Sequence, residues 1–244
     1  MPGSLHHATI VAGACCVLLG GGSRAAAADS GWGGSVVATT DYVFRGLSQT
    51  GGEAALQGDV HYRGEAGWFA GAWVSSLNSN AGYLGELELN AYVGWGWTLA
   101  PDWSTRISYV RYAYPDASVH VDYDYGELTG TVAYQDRVFA SVGWAPDVIR
   151  ATRYGPGRRG NAFSYELSAR QPVWRWFGVA AGIGYYDYSD VIDDSYSSWN
   201  ATLTASFGSL ELDLARFGTD ATARDLFGRE TAGDRWALTA IWRF

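Results

Sequence analysis

The chain alternates. From residue 234 to its end it reads DRWALTAIWRF, with Trp236, Leu238, Ala240, Trp242 and Phe244 at every second position and Arg235, Ala237, Thr239, Ile241 and Arg243 between them. Strand side chains point alternately to the two faces, so this segment predicts a strand with one apolar and one mixed face. A two-faced strand that carries the last residue suits a sheet that closes on its first strand, where a soluble terminus would fray. Lipid demands such closure, because an open edge leaves backbone N–H and C=O groups bare in hydrocarbon. An edge strand of a soluble β-sandwich is the alternative that this one segment leaves open.

The alternation recurs along the chain. Residues 32–47 place Val36, Ala38, Thr40, Tyr42 and Phe44 against Ser35, Val37, Thr39, Asp41, Val43 and Arg45. Leu56, Gly58, Val60 and Tyr62 oppose Gln57, Asp59, His61 and Arg63; Leu87, Leu89, Ala91, Val93 and Trp95 oppose Glu86, Glu88 and Asn90. Between them, 68–75 is small and aromatic on both faces and its register stays open. Further strands are expected at 103–114, 123–134, 138–144, 161–170, 177–186, 196–207 and 210–217. With the closing segment the total is twelve, an even number, as a barrel with both termini on the periplasmic side requires. The fold class is therefore all-β, an antiparallel transmembrane barrel. Arg111 and Arg216 fall on the apolar face, which predicts a bulge or a side chain reaching to the headgroups.

Connection lengths support this topology. Turns at 64–67, 135–137 and 208–209 follow even-numbered strands and are short, whereas 146–160 and 218–233 follow odd-numbered ones and are long, the pattern of periplasmic turns and outer loops. Trp32, Trp68, Trp95, Trp97, Trp103, Trp174, Trp176 and Trp242 fall toward the short turns, as an inner aromatic girdle; Trp73, Trp144, Trp199 and Trp236 fall toward the outer one. Composition agrees: 12 Trp, 16 Tyr and 32 Gly in 244 residues suit strands that cross a water–lipid boundary.

Residues 1–28 read as a secretory signal peptide, with an apolar run from Ile10 to Leu19 and small residues ending at Ala28; residues 29–244 form the barrel. No apolar run reaches the roughly 18 residues of a membrane helix. Removal of the leader takes both cysteines, Cys15 and Cys16, and leaves 16 Arg against 25 acidic residues, a net charge of −9. That balance offers no basic footprint for nucleic acid.

The stretch Thr40-Asp41-Tyr42-Val43-Phe44-Arg45-Gly46, with Ser48-Gln49, Gln57-Gly58, Gly67-Trp68-Phe69-Ala70-Gly71 and Trp73, resembles the TorF-like porin family of Gram-negative outer membranes. The likeness continues weakly through 88–94 and at Tyr114-Pro115, and at position 90 this chain has Asn where the family pattern favours Asp. The C-terminal segment likewise resembles the insertion signal of outer-membrane proteins, carried by Trp236, Leu238, Ala240, Trp242 and Phe244. The resemblance implies a porin in the outer membrane, in contact with lipid and lipopolysaccharide and inserted by periplasmic chaperones and the barrel assembly machinery.

With the apolar face on lipid, the other face lines a lumen. Its charged members are Asp41, Arg45, Asp59, Arg63, Glu86, Glu88, Arg106, Glu127, Glu166, Arg170, Glu211, Asp213, Arg235 and Arg243, joined by His61 and Asn90. Eight acids against six arginines make a wet lumen mildly cation-preferring, with Glu86 and Glu88 at its constriction; alternatively the charges pair and plug it. Asp41 and Arg45, about 13 Å apart along one strand, would each pair across to a neighbour. A His120 triad with Ser118 and Asp122 is a weak match, and the loop carboxylates Asp187, Asp190, Asp193 and Asp194 and loop arginines Arg150, Arg153, Arg158 and Arg159 read first as solvated loops. The expectation is a passive channel for small hydrophilic solutes or ions, without cofactor or catalytic role, and as the alternative a plugged structural or surface-interaction barrel.

Overall fold

The computed structural model describes residues 9–10, 30–77, 84–117, 122–152 and 155–244. Twelve strands form the wall: β1 (Gly31–Thr39), β2 (Ala55–Arg63), β3 (Trp68–Ser76), β4 (Leu87–Ala100), β5 (Trp103–Ala113), β6 (Tyr125–Tyr134), β7 (Val138–Thr152), β8 (Gly155–Trp174), β9 (Phe177–Asp187), β10 (Ser195–Phe207), β11 (Leu210–Thr219) and β12 (Arg235–Arg243). Each pairs antiparallel with the next, and β12 returns to β1. Thr9–Ile10 adds two residues beside the far end of β7, outside this ring.

The ring closes on the last residue. Thr239 faces Thr39 and Arg243 faces Ser35, and the Phe244 and Gly34 backbones exchange bonds of 3.1 and 3.0 Å. The threonine hydroxyls of this seam bond each other at 2.9 Å. Both of its edges are thus satisfied, which is the condition for crossing hydrocarbon.

The two faces separate as the alternation requires. Val36, Leu56, Val60, Leu89, Val93, Leu167, Leu203 and Leu238 are all exposed, a band far larger than a soluble monomer carries. Short turns join β2 to β3, β4 to β5, β6 to β7, β8 to β9 and β10 to β11. Gln135 and Asp136 both take positive φ, and Gly208 does so at the β10–β11 turn, as tight hairpins require. The girdle tryptophans at the short-turn end are exposed, as are Trp144, Trp199 and Trp236 toward the outer end. The chain is a closed twelve-stranded antiparallel β-barrel with an apolar outer belt.

Four expectations need correction. The first strand ends at Thr39, not at residue 47, and within the 40–54 connection residues 41–50 fold into the lumen, so Tyr42 and Phe44 are buried there and not turned to lipid. Trp73 is 7% exposed and faces inward with Phe69 and Ser75, which resolves the open register of β3 and removes Trp73 from the outer girdle. Residues 146–152 and 155–160 are strand and not loop, because β7 and β8 stay paired beyond the barrel rim with register shifts after Ala145 and Ile149. Arg111 and Arg216 stand in regular register without a bulge; at the rim they reach Asp124 (3.6 Å) and Asp234 (3.2 Å).

Candidate functional site

The lumen is organised by residues 40–54. Thr39 Oγ1 donates to the Asp41 carbonyl (2.9 Å) as the chain leaves the wall. Asp41 then accepts from Ser48 Oγ (2.5 Å), Thr50 Oγ1 (3.0 Å) and Arg235 Nη1 (2.8 Å), which ties the base of a small hairpin to β12. Thr50 Oγ1 also takes the Tyr42 amide, and Gln49 N bonds the Tyr42 carbonyl at 2.7 Å. Val43–Phe44 pairs with Leu47–Ser48 across a two-residue turn of Arg45 and Gly46, with φ of 51° and 80°. Positive φ at both central residues is the type I′ geometry that matches strand twist. Glycine is needed at 46 for a second reason, since a Cβ there would lie 2.6 Å from that of Ser198 on the far wall.

The hairpin spans the barrel. At its base the Tyr42 ring packs against Trp73 of β3, and its hydroxyl donates to Glu88 of β4 (3.3 Å). At its tip Arg45 Nη2 donates to Glu127 of β6 (2.7 Å) and Ser164 of β8 (3.0 Å), with Nε 3.6 Å from Glu166. The guanidinium also lies 4.6 and 5.3 Å from the Phe44 and Tyr186 rings. Its side chain is 8% exposed and that of Glu127 is 6%, so a charge enclosed in the lumen is neutralised there.

Above the tip the lumen is filled. Short helices in the outer connections, α1 (Ser189–Ile192) and α2 (Ala221–Phe227), turn Val191, Ile192 and Phe227 inward, followed by α3 (Arg229–Ala232) beside Leu47–Ser48. They meet Phe44, Leu47 and a set of tyrosines: Tyr112 stacks on Tyr125 at 4.5 Å, and Tyr196 contacts Tyr186, Tyr188 and Phe227. Below the tip, toward the short turns, lies a cavity of about 290 Å³ with a mixed lining, apolar on the side of Phe69, Tyr92 and Val110 and hydroxyl-bearing opposite. Its walls include Arg106, Thr129, Thr131, Ser141, Ser168 and Asn200, under a roof of Val43, Phe44, Arg45 and Gly46.

The charged positions named from the sequence divide by depth. Asp41, Arg45 and Arg235 belong to the hairpin and its anchor; Asp41 pairs with Arg235 on the neighbouring β12, as expected, whereas Arg45 reaches β6 and β8 on the far side of the barrel. Glu88 and Asn90 are sealed, the Asn90 amide donating to Glu88 at 2.7 Å. Asparagine at 90 supplies a proton that an ionised aspartate would not, so two carboxylates are not crowded in a buried site. Glu86 is exposed and precedes β4, where its carbonyl accepts from Leu77 N, so Glu86 and Glu88 do not form a constriction ring. Lower down, Asp59 bonds His61 (2.6 Å) and Tyr92 (2.5 Å), Arg243 bonds Glu211 (2.9 Å), and Asp213 lies half-buried beside them on β11. Arg170 donates to the Asp136 carbonyl at the β6–β7 turn, Arg106 lies over Phe69, and Arg63 ends β2 half-buried.

At the outer end of the barrel, Arg159 of β8 is engaged by Asp122 and by Asp147 of β7, and Asp190 accepts from Asn161. Asp187 and Asp194 cap nearby backbone amides of Ser189 and Ser195. Ser118 and His120 lie outside the described residues. On the closing strand Trp236, Leu238, Trp242 and Phe244 are exposed and Ala240 half-exposed. The sequence reading missed the tyrosine filling and the Thr131–Ser141 wall. The signal for the hairpin was present as Arg45-Gly46 between two short apolar runs.

Comparison with known proteins bears on this architecture. A family model described as "Bacterial protein of unknown function (Gcw_chp)" matches residues 25–241. A search of curated proteins finds no significant match. Among solved structures, the NanC porin is similar at 11% identity and a TM-score of 0.58, over 86% of this chain and 98% of that one. The KdgM porin is similar at 8% identity and 0.53, over 87% and 99%. The COG4313 outer membrane channel from Pseudomonas putida F1 is similar at 12% and 0.52, over 87% and 95%. At these identities the likeness is one of fold. The chain belongs to the Gcw_chp family.

Proposed function

We propose that this member of the Gcw_chp family is a passive outer-membrane channel for small hydrophilic solutes, narrowed by the inward hairpin of residues 40–54. One observation carries the reading: a cavity of about 290 Å³, lined by hydroxyls as well as apolar side chains, lies in the lumen beneath Arg45. Discrimination by sign would be set where Arg45 meets Glu127 and Glu166, because Glu88 is sealed and Glu86 lies outside the strand. There the charges offset, which argues for weak ion preference. The resemblance to TorF-like porins is part of the same proposal, since its most specific motif is the stretch that forms the hairpin. Cleavage of a leader near Ala28, chaperone-assisted insertion through the assembly machinery, and lipopolysaccharide around the outer loops belong to the same proposal.

A second reading, a plugged structural barrel, is favoured by the buried core that fills the outer half of the lumen. Single-channel recording of the purified full chain in planar bilayers decides between them. Discrete conductance steps support the channel; folded, heat-modifiable protein that stays silent supports the plug.

A further inference from the structure

The cavity beneath the hairpin has a chemistry of its own. Four of its lining residues carry charge, two guanidiniums (Arg45, Arg106) and two carboxylates (Glu127, Glu166), so the chamber is neutral as a whole. Arg45 and Glu127 already satisfy each other at 2.7 Å. The Glu166 side chain is 41% exposed and Arg106 shares the lining, so an ion of either sign meets an attractive and a repulsive charge together. Neither sign is rewarded.

Uncharged polar groups are abundant there. Thr131 Oγ1 and Ser141 Oγ share one proton at 3.0 Å, and Ser168 and Asn200 stand on the strands beyond. Hydroxyls and amides both donate and accept, so they replace the hydration of a molecule that does the same. Phe69 adds an apolar wall, on which the C–H face of a ring would rest. A cavity of about 290 Å³ holds several waters and has room for one six-membered sugar ring.

We propose that this chamber is a binding site for one neutral polyhydroxylated molecule of monosaccharide size. Its transport role rests on the channel reading, whereas binding can be measured apart from conduction.

The test uses the purified full chain in detergent micelles, with D-glucose, D-glucuronate and protonated D-glucosamine compared by saturation-transfer NMR and calorimetry. Glucose is expected to bind more tightly than either charged analogue. Thr131→Val with Ser141→Ala, in protein that keeps its heat-modifiable mobility, is expected to weaken glucose about tenfold, from two lost hydrogen bonds. Tighter binding of a charged analogue, no binding of any of the three, or an unchanged glucose affinity in the double variant overturns the assignment. Bilayer recording of the same preparations separates the two claims: a barrel that conducts but binds no glucose refutes the site alone, and one that binds glucose but never conducts refutes the channel alone.

Discussion

Above Arg45 the lumen is a hydrophobic core, and below it a chamber whose lining mixes hydroxyls with apolar side chains, although both halves are built from inward positions of the same twelve strands. The difference lies in what the connections can reach. Outer connections such as 40–54, 188–194 and 220–234 are long enough to turn back and lay Phe44, Val191, Ile192 and Phe227 on the strand tyrosines. The short turns cannot, so Thr131, Ser141 and Ser168 are left facing open space. Alternation along a strand decides which side chains point inward. What they meet there is decided by loops far away in the chain.

The sharpest way to break this contrast is to remove what separates the halves. Deleting residues 43–48 and bridging Tyr42 to Gln49, whose backbones already bond at 2.7 Å, takes away the roof of the chamber and part of the core above it. Single-channel conductance is expected to rise severalfold. Conductance equal to that of the intact protein would mean that the hairpin does not narrow the path.

A smaller effect follows from the tip alone. Arg45→Met leaves the Glu127 carboxylate enclosed without its cation, which costs about 3–5 kcal/mol. Adding Glu127→Gln to Arg45→Met is expected to recover more than half of the loss, because the stranded charge is then gone. Urea unfolding in lipid vesicles measures both; a double variant as unstable as the single would show that the pair is not the latch.

Much of the wall was legible in the sequence because it depends on local period and turn chemistry: the closing strand, the outward Leu89 and Leu167, and the short turn at Gln135 and Asp136. The lumen was less so. Residues 40–47 keep a period of two whether they run up a wall or fold into a hairpin, and Arg45 with Gly46 reads as a turn only once positive φ is considered. Apolar alternation places Tyr42 and Phe44 on the lipid face and leaves the facing of Trp73 open, while in this barrel part of the interior is apolar too. Glu88 looked lumen-facing and is, but its burial depends on Tyr42 and Asn90, contacts that no spacing encodes.

Cysteine labelling sharpens the division further, since the mature barrel would contain no native thiol. A water-soluble thiol reagent should modify cysteines at Ser168 and Thr202, in the chamber and below it, and spare those at Leu89, Leu167 and Leu203 on the lipid side. The informative position is Glu88. It points inward yet is fully buried, so a cysteine there is expected to resist the reagent in the intact protein and to react once residues 43–48 are deleted. Rapid labelling of that position with the hairpin in place would place water in the outer half and contradict the filled core.

The smallest expected effect tests whether the core above the tip is independent of the chamber below. Asp220 caps α2, accepting from the Ala223 amide at 2.9 Å, and its other oxygen takes the Ser197 amide at 2.6 Å. Through α2 it holds Phe227 against Tyr196, with ring centroids 5.5 Å apart. Losing such a cap costs about 1 kcal/mol, while Asp220→Asn retains an oxygen that can accept and should lose little. In Asp220→Ala, amide exchange over residues 221–227 is therefore expected to quicken about fivefold, the factor that 1 kcal/mol corresponds to, with no change at the β10–β11 turn. Conductance and glucose affinity should match the parent, because neither Asp220 nor α2 lines the chamber. If either quantity shifts with the exchange rate, the two halves form one coupled unit, and the outer core sets the width of the path as well as closing it.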